Sequence, residues 1–165
     1  MIDQYVIAPG FKIISGGQSG ADTAALNWAI DHGISHGGWC PKGRKSEDGP
    51  IASKYQLIET PASSYLQRTE WNVRDSDGTL IFTLGDRLEG GSKRTAEFAE
   101  RHAKPWLHFR PGVHPKFIAR FLEKHRILVL NVAGSRASSS AGIAALVSAA
   151  LGSALVRALP ESDPA

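Results

Sequence analysis

Cysteine occurs once in this chain, at Cys40, and methionine only at Met1. A single thiol allows no internal disulfide and fits a reducing, cytoplasmic setting. Charge is sparse as well: charged residues make up 21% of the chain and the net charge is +3. No dense lysine and arginine stripe appears, so nucleic acid is not an expected partner. The most apolar stretch, Ala141–Val156, is shorter than the ~20 residues a membrane span needs, and it contains Gly142, Ser148, Gly152 and Ser153. No membrane association is expected. The opening Met1-Ile2-Asp3-Gln4 puts no basic segment before an apolar core, so no secretory leader is expected. There is no internal repeat, linker or low-complexity segment. A Gly-x-Ser-x-Gly elbow is missing, and no cysteine–histidine spacing suggests a nucleophile. His32 and His36 are four apart, but Gly33 would break the helix that aligns them, so no metal site is expected.

What the chain does have is glycine next to hydroxyl and basic residues. Phe11–Ser15 is a short apolar run, and Gly16-Gly17-Gln18-Ser19-Gly20 follows it. Asp22–Ile30 then reads as a helix. Strand, tight turn and helix start make a natural anion site, because the first helical N–H groups lack partners and carry partial positive charge. Ser15 stands where a dinucleotide fingerprint needs its first glycine, and no lysine completes a Walker A loop. An anion is expected here, through neither of those motifs.

At 165 residues with 42% hydrophobic content, the chain has the size and composition of one globular domain spanning 1–165. Residues 1–10 read as a leader and 160–165 as a frayed tail. Strands are expected at 12–15, 37–41, 79–84, 106–109 and 127–132. Helices are expected at 22–32, 64–75, 92–102, 114–125 and 141–159. Residues 42–50 read as a polar loop, and 51–61 show no firm period. Phe117, Ile118, Phe121 and Leu122 mark the apolar face of the fourth helix. The alternation predicts an α/β fold: a Rossmann-like, doubly wound, mainly parallel sheet with helices on both faces. Strands apolar throughout suit a sheet covered on both sides.

Ligands of such folds bind beyond the carboxyl ends of the strands. Four segments arrive there with glycine and with hydroxyl or basic residues: Gly16–Gly20, Lys42-Gly43-Arg44-Lys45, Gly90-Gly91-Ser92 with Lys93, Arg94 and Thr95, and Asn131 with Gly134-Ser135-Arg136. Together they predict a cationic pocket in which Ser19, Ser92 and Thr95 supply hydroxyls and Lys42, Arg44 and Lys93 or Arg94 supply counter-charge. The polar run Arg68–Thr79 adds Arg68 and Asn72. Asp75 and Asp77 could orient Arg68 or accept ligand hydroxyls. Asp22, Asp48, Asp75, Asp77 and Glu97 are all candidate acid/base carboxylates, and nothing in the sequence selects a pair.

Several of these motifs, in this order, resemble the molybdenum carrier family, proteins similar to the algal and bacterial molybdenum-cofactor carrier. They are Ile14–Asp22, Gly38–Gly49, Tyr65–Thr79, Gly90-Gly91-Ser92-x-x-Thr95 and Leu130–Gly134, and the resemblance covers about residues 10–150. It implies a Rossmann-like fold, a homo-oligomer, and binding of molybdenum cofactor, or of molybdate, without turnover. Molybdoenzymes would be the acceptors. By match, the turns at 16–20 and 90–95 and the loop at 42–44 would hold the ligand.

The wider superfamily is similar to nucleoside-monophosphate phosphoribohydrolases, whose motif is Pro-Gly-Gly-x-Gly-Thr-x-x-Glu. Here Glu89 replaces the proline, Thr95 lies one residue later, and Phe98 stands at the glutamate. Hydrolysis of a nucleotide, with Glu97 stabilising a ribosyl cation, is therefore the alternative. A nucleotide sensor is a third reading.

Overall fold

The computed structural model describes residues 1–160. The chain starts with β1 (Tyr5–Val6), β2 (Lys12–Ile14), α1 (Ala21–Asp31), β3 (Ser35–Gly37) and β4 (Trp39–Cys40). A small hairpin, β5 (Lys45–Ser46) and β6 (Gly49–Pro50), precedes β7 (Ile58–Glu59). Then come α2 (Tyr65–Arg74), β8 (Gly78–Phe82), α3 (Gly90–Arg101), β9 (Trp106–Phe109) and α4 (Lys116–Lys124). The chain closes with β10 (Val129–Gly134), α5 (Ile143–Ala154) and β11 (Leu155–Val156).

Five strands form one sheet in the order β3-β2-β10-β8-β9, and every pairing in it is parallel. The last of these strands in the chain, β10, occupies the centre. Its Leu130 sits beside Ile13 of β2, and its Val132 beside Leu80 of β8. All of β8 is buried, as expected where helices cover both faces of a sheet. One face carries α1, α4 and α5 over a core that includes Trp28, Phe82, Phe121, Leu122 and Val147. The other carries α2 and α3, with Val73, Phe98 and Ala99 buried beneath them. The Rossmann-like architecture is as the alternation of elements predicts.

Three local expectations give way. Within residues 1–10, β1 pairs in parallel with β11, and Arg120 donates to the Ile2 carbonyl at 2.9 Å and to Asp3. That pairing also ends α5 early, because Leu155 turns to extended backbone to meet Tyr5. The strand expected over 37–41 divides at Gly38, whose φ is +128°. Ser35–Gly37 joins the main sheet, whereas Trp39–Cys40 leaves it to pair with β7. Finally, Phe117 is 46% exposed rather than core; its ring lies under the Lys116 and Arg120 cations. The frayed tail expected over 160–165 lies, beyond Pro160, outside the described residues.

Candidate functional site

The two sides of the sheet are wound outward from its centre, so a crevice opens where β10 meets β2 and β8. The first glycine turn borders it. Gly16 lies against Arg68: a Cβ there would fall 2.0 Å from an Arg68 Nη. The glycine is needed to seat the arginine. Arg68 reaches over from α2 and donates to the buried Asp22 carboxylate at 3.1 Å. Asp22 also accepts the Gln18 N–H at 3.1 Å. Burial pushes the Asp22 carboxyl above its ordinary range, and the Arg68 charge pulls it back.

This turn is closed by its own chain. Ala21 N–H donates to the Ser135 carbonyl at 3.1 Å, and Ser19 N–H to the Gln18 side-chain oxygen at 3.0 Å. The Ser19 hydroxyl donates to Glu47 and accepts from Ala137 N–H. Glu47 acts as a clasp over three segments. Its carboxylate also accepts from the Ser138 hydroxyl and N–H, while its own N–H donates to Gln18. The serine donors hold the Glu47 carboxyl below its ordinary range.

The second glycine turn is open. Nothing lies within 4 Å of a Cβ built at Gly90 or Gly91. The start of α3 faces a cavity of about 580 Å³ whose lining includes Arg87, Ser92, Ser139 and Ser140. A smaller cavity of about 100 Å³ lies further in, lined by Gln18, Asp22, Tyr65, Arg68, Arg94, Asn131 and others. Gly91, Gly134 and Arg136 border both.

The inner cavity has more donors than acceptors to offer. Gln18 Nε2 and Arg68 Nε are buried without partners among the described residues. Arg94 and Arg136 add charge at the wall. The Tyr65 ring gathers cations too: Lys45 Nζ lies 4.5 Å from its centroid, Arg136 Cζ 4.8 Å and Arg68 Cζ 5.4 Å. Asp22 is the carboxylate on this wall, and Arg68 already engages it. Such a donor set suits an anion.

The structure brings Gly16, Gln18, Arg68, Asn72, Gly91, Thr95 and Asn131 to the inner cavity, and Gly90, Gly91 and Ser92 to the outer. Several of these are also tied to the scaffold. The Asn72 amide bridges the Trp39 N–H and carbonyl, at 2.8 and 2.9 Å, and so holds β4 to α2. Asn131 donates to Thr79, and Thr95 to the Gly91 carbonyl. Gly17 and Ser19 line a separate shallow pocket beside Thr23 and Tyr55. Gly20 packs against the 135–137 backbone instead.

The basic loop differs most from expectation. The Arg44 guanidinium donates to the carbonyls of Ile51, Ala52, Tyr55 and Leu57, so it staples its own loop rather than lining the cleft. Lys42 is exposed, and Gly43 N–H donates to Glu59. Asp77 sits at the amino edge of the sheet, where it accepts the Leu128 and Val129 N–H groups at 3.0 and 2.8 Å. Asp75 bonds Trp39 Nε1 and Arg74. Asp22, not either of these, orients Arg68. Tyr65 and Thr69, outside the expected binding set, line the inner cavity too, as do Arg94, one of the two counter-charges named as alternatives, and Arg136 from the fourth edge segment. The helical spacing of Tyr65, Arg68, Thr69 and Asn72 carried the signal for the first two. Cys40 is fully buried, and burial pushes its thiol pKa up, which leaves it unreactive.

A wholly parallel five-stranded sheet with a cleft at its switch point, lined by Arg68, Arg94 and Arg136, defines a Rossmann-like α/β protein. More specifically, residues 13–155 match the circularly permuted YpsA SLOG family, and the chain belongs to that family. It is 45% identical to the crystal structure of the "Putative molybdenum carrier protein" from Syntrophus aciditrophicus. The match covers 90% of this chain and 94% of that one, with a TM-score of 0.83. A (E)-4-hydroxy-3-methyl-but-2-enyl diphosphate reductase overlaps at a TM-score of 0.39 with 10% identity, over 86% of this chain and 59% of that one, too little to bear on function. No curated protein matches the chain. Among the described residues, no helix is long and apolar enough to cross a membrane.

Proposed function

We propose that this protein binds and carries a small anionic ligand without turning it over, and that the ligand is molybdenum cofactor or a related anion such as molybdate. The observation that carries this reading is the pair of buried donors at the inner cavity, Gln18 Nε2 and Arg68 Nε, which have no partner among the described residues and lie beside Arg94 and Arg136. A buried donor without an acceptor costs about 1–3 kcal/mol, so a ligand that supplies oxygen acceptors is favoured there. The name of the Syntrophus aciditrophicus protein supports molybdenum as the element involved. The cofactor is a flat pterin with a phosphate and an oxo-molybdenum dithiolene. Its rings suit the outer cavity, and its anionic groups suit the arginines. Transfer to a molybdoenzyme, a cytoplasmic location and a homo-oligomeric state belong to the same proposal.

The test is to purify the full chain from a host that makes the cofactor and to assay bound pterin and molybdenum. Stoichiometric amounts of both are expected. Protein that carries neither, and that fails to protect added cofactor from oxidation, refutes the proposal. Release of free base from a nucleoside monophosphate in a parallel assay would favour the hydrolase instead. The carboxylate suggested for that chemistry, Glu97, is half exposed and pairs with Arg94 at 3.4 Å.

A further inference from the structure

We infer that residues 135–140, which follow β10, form a strap along the cleft that Glu47 latches shut, and that Arg136 on this strap is the barrier between the outer and inner cavities. This rests on the proposed reading of the cleft as a carrier's binding site and says how its inner part is opened and closed.

The strap is tied firmly at its start and lightly beyond it. Ser135 N–H donates to the Phe82 carbonyl of β8 at 3.0 Å, and the Ser135 carbonyl accepts from Ala21 N–H. Past the other end, Gly142 has a φ of +89°, and a Cβ there would meet nothing within 4 Å. In between, the backbone bonds to itself: Ser139 and Ser140 N–H both donate to the Arg136 carbonyl, at 3.3 and 3.1 Å. Its outward bonds go to Glu47 and Ser19. The Glu47 carboxylate accepts from the Ser138 N–H and hydroxyl at 3.2 and 2.6 Å, and Ala137 N–H donates to the Ser19 hydroxyl at 3.2 Å. Ser19 in turn donates to Glu47. Each of these ties therefore ends on one carboxylate or on a hydroxyl that it holds.

The latch sits on a braced support. Glu47 is at the tip of the β5–β6 hairpin, where the Ser46 hydroxyl donates to the Gly49 carbonyl. Arg44, just before that hairpin, grips the Ile51 and Ala52 carbonyls just after it. Glu47 N–H is itself fixed on Gln18. When the ties part, the strap moves and the hairpin stays.

Arg136 is placed to close the inner cavity. It borders both cavities, of about 100 and 580 Å³. Its Cζ lies 4.8 Å from the Tyr65 ring centroid, and one Nη lies 4.0 Å from the Glu47 carboxylate. Release of the strap takes Arg136 off Tyr65 and joins the two cavities. Hydrogen bonds to a carboxylate are stronger than neutral ones, so the shut form is the populated one and opening is local and transient.

The test needs no ligand. Thr95 lines the inner cavity and is 3% exposed, and Cys40, the chain's one natural thiol, is fully buried. In full-length Thr95→Cys, the introduced thiol reports opening of the inner cavity and Cys40 reports unfolding of the whole chain. Both are labelled with an anionic aromatic disulfide, and the two rates are separated by peptide mass spectrometry. Labelling at position 95 is expected to be slow while Glu47 is intact. Glu47→Gln should speed it by about tenfold and Ser138→Ala by about threefold, with Cys40 unchanged. Arg136→Ala should speed it by about tenfold too, and adding Glu47→Gln to Arg136→Ala should bring less than about a further twofold, because the barrier is already gone. If Glu47→Gln does not fold, Ser138→Ala carries the same comparison. Labelling that ignores Glu47 and Ser138, effects of Glu47→Gln and Arg136→Ala that multiply, or labelling of Cys40 in step with position 95 overturns the inference and leaves the carrier reading intact. Labelling that follows the latch in a protein that never carries pterin or molybdenum refutes the carrier reading alone.

Discussion

Two glycine turns in this chain look alike in sequence and are built in opposite ways. Each follows a strand and opens a helix. At the first, Gly20 has a φ of +86°, and a Cβ there would lie 2.4 Å from the Ser135 carbonyl oxygen. Side chains and loops of the protein itself fill the space around this turn. At the second, a Cβ on Gly91 would meet nothing within 4 Å. The difference teaches that glycine next to a helix start has two uses. One is to let the protein pack against itself, here to seat Arg68. The other is to leave a helix end bare. Only neighbours from distant parts of the chain decide between them.

The comparison is sharpest at Arg68. Arg68→Ala leaves Asp22 buried without its cation, and loss of one partner from a buried pair costs about 3–5 kcal/mol. We expect that loss in urea unfolding; a change under about 1 kcal/mol would mean that Asp22 does not depend on Arg68. The glycines come next. Gly20→Ala is expected to cost about 2–4 kcal/mol, from a backbone conformation alanine resists and from overpacking against a carbonyl. Gly91→Ala is expected to stabilise by roughly 0.5–1 kcal/mol, since alanine is the better helix former and has room. If thermal melts moved the same way for both, the two turns would not differ as described.

Arg44→Ala removes a guanidinium that holds four carbonyls, and a loss of about 1–3 kcal/mol is expected. Lys42→Ala should change stability little, because its side chain is exposed. Equal losses in anion affinity with unchanged melting would instead return Arg44 to the cleft.

The smallest effect concerns Glu47. Its carboxyl is held below the ordinary range in the folded chain. Its contribution is therefore complete above the ordinary glutamate value and is lost as pH falls through the lowered one. Protection of the Ser138 amide from hydrogen exchange, taken relative to the intrinsic rate at each pH, should fall on acidification across that window in the wild type. In Glu47→Gln the same amide should show low protection throughout. A wild-type protection that stayed flat with pH would show that the clasp does not depend on the charge.

Much of the scaffold is readable from local pattern. Trp106–Phe109 is the strand its apolar run predicts, and α2 differs from expectation by one residue at each end. These elements follow from short-range rules: a serine cap at Ser64, glycine beyond a helix, apolar runs between polar turns. The β1–β11 pair was not legible, since two-residue strands carry no period and the partners lie at opposite ends of the chain. The same holds for the candidate site. Gln18 and Arg68 stood out as polar residues in unusual company. That Asp22, rather than Asp75 or Asp77, would meet Arg68 depends on a contact across 46 positions.

The sequence by itself determined the alternation of strands and helices, the parallel sheet that alternation requires, and the glycine turns with hydroxyl and basic residues that follow its strands. Those depend on neighbours a few positions apart. Only the tertiary structure decided which cations face the cleft, which are taken up by carbonyls, and which glycine turn stays open. A charged side chain settles on whichever acceptor the fold places within about 3 Å, and the fold, not the adjacent residues, sets that distance.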